Sequence, residues 1–441
     1  LAKLGSDASN LIIDKKGKDL FVQSDGKVFK VKASDGTKTP VNFSGEMNLV
    51  KTEERNYIFE HVWRQVDKKF YVTNLHGVDW PFYKKEYTKF LPHINNNHDF
   101  SEMLSEMLGE LNASHTGAYY RPSTKTGNET ASLGLFYDQS YSGNGMKIEE
   151  VMLKGPADKA ESDIKAGVII EKINGENLDR STSFFAKLNR QKDKNMLLSL
   201  YNPMTKKRWE EVIRPISLGQ ENELRYQRWV KKSREAVDEL SKGRVGYVHI
   251  RGMNDNSFRT AVEEILGRNK DKEAIIVDTR SNGGGWLHED LATFLDGKAY
   301  VEMAPRDQRL GTEPMFKWSK PSAVIMGESN YSDAHIFPYA YRAKGIGKLV
   351  GMPVPGTGTA VWWERQIDPT LVFGIPQVGM LTPEGDYLEN KQLMPDVMVQ
   401  NDPEHLIKGI DQQLAKAVEV LIGNSTDEKI DIEIKDRKGK K

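Results

Sequence analysis

Residues 322–337 read Ser-Ala-Val-Ile-Met-Gly-Glu-Ser-Asn-Tyr-Ser-Asp-Ala-His-Ile-Phe. Ala323 to Met326 form a short apolar run with the length and composition of a buried strand. Gly327 to Asn330 are turn-like. Ser332-Asp333 then lead into a segment with helical character. A serine at a strand-to-helix junction projects its hydroxyl beyond the sheet edge, where unpaired amides at the helix start can hold an oxyanion. The same residues serve more commonly as simple helix N-caps. The choice depends on whether the chain also supplies a base, an orienting acid and a source of free amides.

Composition narrows the classes. A chain of 441 residues corresponds to about three domains. Acidic and basic residues balance at 63 each, which gives no electrostatic basis for a nucleic-acid or anionic-membrane partner. Cysteine is absent, so disulfides, thiolate metal sites and cysteine nucleophiles are excluded. No apolar run reaches membrane-spanning length, and the first residues lack a signal-peptide pattern. The first residue is Leu1 rather than methionine, which is read as the start of a fragment of something longer.

In order along the chain, residues 1–45 show short strands separated by turns such as Ser24-Asp-Gly26, a β-meander of the kind that ends a propeller. Residues 50–122 are helical. Ile58, Val62, Val66 and Phe70 mark one amphipathic helix, a second is expected near Tyr83 to Leu91, and Phe100, Met103, Leu104, Met107, Leu108 and Leu111 mark a third. Asp99 with Glu102 has the form of a capping box for that third helix. Beyond it lies Ser114-His115, where a histidine is either favoured by the helix dipole or placed as a catalytic base.

Residues 131–205 form a compact unit with Leu133-Gly-Leu-Phe136, the strand Lys147 to Met152, and two strand-like pieces around Asn174-Gly175. The unit resembles a PDZ domain, in which an apolar-Gly-apolar loop holds a peptide carboxylate. It serves either as a peptide binder or as a spacer or gate. Residues 206–242 read as a charged helical linker. Residues 243–423 alternate strands and helices: Val245 to Ile250, Ser257 to Leu266, Ala274 to Val277, the 322–337 stretch, and Leu349-Val350. Pro338 kinks the helix after Ser332 or marks its true first turn. A final amphipathic helix is expected from Asp402-Pro403 through Leu421, with Leu406, Ile407, Ile410, Leu414 and Val418 on one face. Residues 424–441 are a charged tail.

At the carboxyl end of Ala274 to Val277 stands Asp278-Thr-Arg-Ser-Asn-Gly-Gly-Gly285. Three consecutive glycines exceed what a turn requires and offer close backbone approach with free amides. The spacing is neither a dinucleotide fingerprint nor a phosphate loop.

Taken together, Ser114-His115, Asp278-x-Arg-x-Asn-Gly-Gly-Gly285, Glu328-x-x-x-Ser332-Asp333 and Glu389-Asn390 before Pro395-Asp396 resemble the C-terminal half of tricorn-type proteases. These belong among the serine peptidases that include the tail-specific, C-terminal-processing enzymes. The resemblance implies a multidomain α+β fold: a β-propeller remnant, a helical subdomain carrying the base, a PDZ-like domain and a crotonase-like α/β catalytic domain. It makes Ser332 the nucleophile and His115 the general base, with Ser114 and Glu389 orienting and supporting that base. The oxyanion hole would use the amide of Asp333 with that of Gly283 or Gly284. It implies no cofactor and no metal, peptides or unfolded chains as substrates, a hexamer as assembly, and a cytoplasmic setting, with export as the alternative. The sequence departs from the family at Ala334-His335, where Gly-Asp is common, and at Gly327, where Asn is common. His335 is expected to be solvated or to face substrate.

Two other readings stay open. In the tail-specific branch a lysine within Gly-Lys-Gly replaces the histidine, but the comparable Gly356-Thr357-Gly358 has none, and Lys348 precedes an apolar strand. The chain could instead be a non-catalytic peptide-binding scaffold of the same fold, although Ser114, His115, Ser332 and Glu389 are all present. A zinc peptidase has little support without a His-Glu-x-x-His pair.

Overall fold

The computed structural model describes residues 7–122, 127–179 and 183–423. The tail expected at 424–441 lies outside them. The chain divides into two compact units, residues 1–58 and 59–441.

In the first unit, strands Ser9–Ile13, Asp19–Ser24, Lys27–Lys32 and Lys38–Val41 form a four-stranded antiparallel meander in chain order. Val22 and Val31 are buried, whereas Leu11, Ile12 and Ile13 are exposed. No closed propeller is present among the described residues.

The second unit has a mixed α/β architecture, and its centre is a five-stranded sheet. Its strands run Val245–His249, Ala274–Asp278, Ser322–Met326, Lys348–Gly351 and Val397–Met398, all parallel. The first three strands are buried along their whole length. Parallel strands covered on both faces must be apolar on both, which explains why they read as continuous rather than alternating runs. One face packs Val248, Ile275, Val277 and Val324 against helices Asp255–Leu266, His288–Leu295 and Asp333–Ala343. The other packs Tyr247, Ile276, Ile325 and Val350 against helices Leu218–Ser241 and Gln412–Ile422. Loops leaving the carboxyl ends of parallel strands gather at one edge. Here those loops are 279–287, 327–332 and 352–358.

An antiparallel three-stranded sheet, ordered Thr359–Arg365, Leu371–Gly379, Gly117–Tyr120, brings a distant part of the chain to that edge. Residues 135–213 form a six-stranded antiparallel unit over a core that includes Leu135, Ile148, Ile170, Leu198 and Ile213. Strand Arg208–Ile213 pairs along its length with Met196–Tyr201, so this unit extends past the boundary expected at 205. The linker is correspondingly shorter: helix Leu218–Ser241, closed at its start by a capping box of Ser217 and Gln220.

Several local expectations are corrected by side-chain capping. The second helix of the helical region is Trp80–Thr88, because Asp79 accepts the Phe82 N–H and Pro81 fits the first turn. The third, Asn97–Gly109, is capped by Asn96 accepting from the Asp99 N–H, not by an Asp99–Glu102 box. The last helix is two: Pro403–Ile407, and Gln412–Ile422 capped by Asp411, separated at Gly409 with φ +80. Leu406 and Ile407 are consequently exposed rather than on the apolar face. Pro338 lies inside helix Asp333–Ala343. The Ala334 carbonyl that a proline N cannot satisfy accepts instead from Asn330 Nδ2 at 3.2 Å.

A buried ion pair ties strand Ala274–Asp278 to the start of helix Gln412–Ile422. Arg280 reaches Asp278 at 2.6 Å and Asp411 at 2.8 Å, and Tyr247 Oη donates to Asp278 at 2.9 Å. Removing one member strands buried charge. Asp278→Ala is expected to lower stability to chemical denaturation by about 3–5 kcal/mol, measured from the shift of the unfolding midpoint.

Candidate active site

Strand Ser322–Met326 delivers the nucleophile candidate. After its buried apolar run the chain turns through Gly327–Tyr331, and Ser332 occupies the N-cap position of helix Asp333–Ala343 with φ 56 and ψ −125. That conformation costs a non-glycine residue about 1–3 kcal/mol. The Ser332 side chain makes no capping hydrogen bond to its own helix, so capping does not account for it. The turn is gripped from several sides. Ser332 N–H donates to Thr357 Oγ1 at 2.9 Å, Tyr331 N–H to Asn282 O at 3.0 Å, and Asn330 Nδ2 to Thr279 Oγ1 at 2.8 Å.

Ser114 and His115 stand just before strand Gly117–Tyr120. His115 has φ 63, and its carbonyl lies 2.4 Å from where a Cβ on Gly374 would fall. The Gly117–Gly374 pairing thus permits the close approach. His115 N–H donates to Tyr331 Oη at 2.7 Å, and the two rings lie 4.8 Å apart. Among the described residues no hydrogen bond joins Ser332 to His115. Tyr331, the residue before Ser332, makes the connection.

Behind the imidazole runs a hydroxyl chain. His115 Nδ1 lies 2.9 Å from Ser114 Oγ and 3.0 Å from Thr359 Oγ1, which are 2.9 Å from each other. Ser114 Oγ also donates to Glu389 Oε2 at 2.9 Å, and Ser114 N–H to Oε1 at 2.5 Å. Since Ser114's proton goes to the carboxylate, its oxygen accepts from His115 Nδ1–H. The lone pair is then on Nε2. Burial pushes His115 down to about 4, so it is neutral at ordinary pH. Burial also raises the Glu389 carboxyl, opposed by the Ser114 N–H and hydroxyl and by the Gly358 amide. Three converging donors match a carboxylate, which only accepts.

The glycine loop lies against the turn that carries Ser332. A Cβ on Gly284, at φ +96, would fall 2.6 Å from Ser332 Cβ and 3.0 Å from the Asp333 nitrogen. Gly284 N–H donates to Asn282 Oδ1 at 2.8 Å. Among the described residues, neither Gly283 N–H nor Asp333 N–H has a protein acceptor. The structure therefore assembles two groups, Ser114–His115–Glu389 and Ser332–Asp333–Gly283–Gly284, next to each other across Tyr331.

His335 differs from expectation. It is buried, its Nδ1 accepts the Thr357 N–H at 3.2 Å, and burial lowers it to about 4. It supports the loop whose Thr357 holds Ser332 and is shut off from solvent. Lys348 is exposed at a strand start. Thr359, Thr357 and Tyr331 were not singled out as site residues from sequence. The Gly-Thr-Gly-Thr run 356–359 is the available signal, since Gly356 passes close to the backbone of Asn390 and Lys391 and Gly358 to that of Leu388 and Glu389. Among the described residues no group of three or more histidine or acidic side chains is placed to hold a metal.

Residues 244–399 match peptidase family S41, and residues 51–109 match the tricorn protease C1 domain. These two matched segments make the chain similar to the tricorn-type members of the S41 serine peptidases. Tricorn protease homolog 1 of Streptomyces coelicolor is 25% identical over 440 residues, covering 95% of this chain and 41% of that protein. Tricorn protease of Thermoplasma volcanium is 23% identical over 454 residues, covering 98% and 42%. A crystal structure of the tricorn protease superposes with a TM-score of 0.80 at 21% identity, over 93% of this chain and 41% of that one. The chain spans less than half the length of these relatives. No described helix is long and apolar enough to cross a membrane.

Three substitutions at two positions probe this candidate site. Gly284→Ala is expected to slow phosphonylation of Ser332 by a fluorophosphonate by about 10²-fold or more, because its Cβ overlaps Ser332. Thr359→Val is expected to slow it by about 10-fold, and Thr359→Ser to restore most of the rate. All are read as second-order labelling rates.

Proposed function

We propose that this chain is a serine endopeptidase that hydrolyses peptide bonds through an acyl-enzyme, with Ser332 as nucleophile and His115 as base. The observation that carries this reading is the Ser332 backbone, held in a costly conformation beside two unpaired N–H groups. A functional constraint accounts for such strain better than stability does. Ser332 Oγ attacks the scissile carbonyl carbon while its proton passes to His115 Nε2. The carbonyl oxygen, now an anion, is received by the N–H groups of Asp333 and Gly283, and Gly284 supplies the close approach. Collapse breaks the C–N bond, and His115 Nε2–H protonates the leaving amine. Water, deprotonated by His115, then attacks the acyl carbon; the bond from that carbon to Ser332 Oγ breaks, and His115 Nε2–H returns the proton to Oγ.

Ser114 and Thr359 orient the imidazole by receiving Nδ1–H. Glu389 supports the positive charge that develops on it through the Ser114 hydroxyl. The absence of a lysine at Gly356-Thr357-Gly358 and the exposed position of Lys348 favour this histidine mechanism over a serine–lysine dyad.

We read residues 131–213 as a PDZ-like spacer or gate. Gly134 N–H, a candidate donor to a peptide carboxylate, is already given to Ser132 Oγ at 2.9 Å. Residues 243–423 are read as the crotonase-like catalytic domain, and strands 9–41 as one propeller-like blade. Substrates are oligopeptides or unfolded chains, and assembly is hexameric by family resemblance.

Fluorophosphonate labelling of wild type, Ser332→Ala and His115→Ala tests the assignment. Wild type is expected to label at Ser332, the serine variant not at all, and the histidine variant at least about 10²-fold more slowly. Equal labelling of all three overturns it, and a chain that binds peptides but never labels supports the scaffold reading. The pH profile is a separate check. His115 is a base only when neutral, so the acid limb of kcat/KM is expected near pH 4 rather than near 6.5.

A further inference from the structure

The residue after the nucleophile does more than offer its amide. Helix His288–Leu295 begins without a cap of its own, with Leu287 at the N-cap position and no side-chain capping bond there. Leucine is among the poorest residues at that position. The first N–H groups of a helix still need acceptors, and Asp333 supplies one from elsewhere in the fold. Its Oδ2 accepts from Leu287 N–H at 2.5 Å and from His288 N–H at 3.0 Å, and its Oδ1 lies 2.5 Å from His288 Nδ1. The Asp333 side chain is 1% exposed and that of His288 20%. Hydrogen bonding to Asp333 raises the His288 imidazole, so the side-chain contact and the two amide contacts converge on one buried carboxyl group.

This cap lies four residues beyond Gly283. The segment between is pinned on its other side, since Met253 N–H donates to Gly284 O at 3.0 Å and Trp286 N–H to Met253 O at 2.7 Å. The carboxylate of Asp333 thus ties the nucleophile turn to the loop that carries the second oxyanion donor. We propose that Asp333 is a positioning residue as well as a backbone donor: its side chain, paired with His288, sets the separation between the Asp333 and Gly283 N–H groups that receive the oxyanion. This rests on the serine-peptidase reading above. Two free N–H groups on separate segments act on one oxygen only if the segments are fixed to each other within a fraction of an ångström.

The test uses the full chain as wild type, Asp333→Ala, Asp333→Asn, His288→Gln and Ser332→Ala. Hydrogen–deuterium exchange over residues 283–291 reads the tie without reference to catalysis. Asp333→Ala is expected to speed exchange of the Leu287 and His288 amides by about 10-fold or more, and Ser332→Ala to leave it as in wild type. Unchanged protection in Asp333→Ala overturns the proposal.

Steady-state kinetics on a peptide that wild type cleaves then read the consequence. Asp333→Ala is expected to lower kcat about 10²-fold with KM within about 3-fold. Affinity for an aldehyde of that peptide, which forms a tetrahedral adduct with Ser332, should fall by the same factor, while affinity for the product peptide is retained. Asp333→Asn keeps an oxygen for the two amides and is expected to regain most of kcat, with His288→Gln between wild type and Asp333→Ala. If Asp333→Ala fails to fold, His288→Gln carries the same comparisons, with Asp333→Asn as the near-wild-type reference. Loss of kcat without loss of aldehyde affinity overturns the positioning role. If wild type neither labels nor cleaves, the peptidase reading fails, and the exchange experiment still decides the tie.

Discussion

Everything at this site depends on keeping Ser332 in a backbone conformation that it would leave if released. A φ of 56 with ψ −125 persists only where the surroundings over-determine it. Here the restraints come from separate parts of the chain: Thr357 on the Ser332 amide, Asn282 on the Tyr331 amide, and Asn330 bonded to Thr279 and Ala334. Each is itself buried or backed by a buried group, as Thr357 is by His335. The parallel sheet makes this possible. Strands Ala274–Asp278 and Ser322–Met326 pair directly and in register, so the loops leaving their carboxyl ends must meet.

The His115 imidazole is held in a different way. An imidazole buried to this degree is driven toward its neutral form, and a carboxylate buried beside it toward its protonated one. Placing Ser114 between them lets the carboxylate collect donors it needs and lets the imidazole find an acceptor for Nδ1–H. Thr359 adds a second hydroxyl at nearly the same distance from Nδ1. The imidazole is thereby restrained from two directions, while its resting state remains uncharged.

Much of the α/β framework was readable from residues. Runs such as Ala274 to Val277 and Ala323 to Met326 are apolar throughout because both faces are covered, and three successive glycines signalled a close approach that Gly284 makes against Ser332. Ser114-His115, Ser332 and Glu389 stand out by their resemblance to a family, and the fold hydrogen-bonds Ser114 both to His115 and to Glu389. The misreadings share a cause. Asn96 rather than Asp99 caps its helix, Asp411 starts a new one after Gly409, and Asp333 caps a helix remote in sequence. Which polar side chain finds a free N–H depends on backbone direction, which residue type does not specify. His335 was misplaced for the same reason, since a histidine near a nucleophile looks the same in sequence whether it faces substrate or Thr357.

By itself, then, the sequence determined the chemistry on offer: a serine at a strand–helix junction, a histidine beyond a helix, glycines for close approach and no cysteine. Those follow from residue type and local spacing, while Glu389 and the comparison with a lysine at Gly356-Thr357-Gly358 came through resemblance to a family. Tertiary structure alone decided the partnerships, because pairs such as Ser114 with Glu389, His115 with Thr359 and Asp333 with Leu287 are separated in sequence by 275, 244 and 46 residues. Hydrogen bonds act over about 3 Å, and only the packing of one strand against the next brings such groups within that reach.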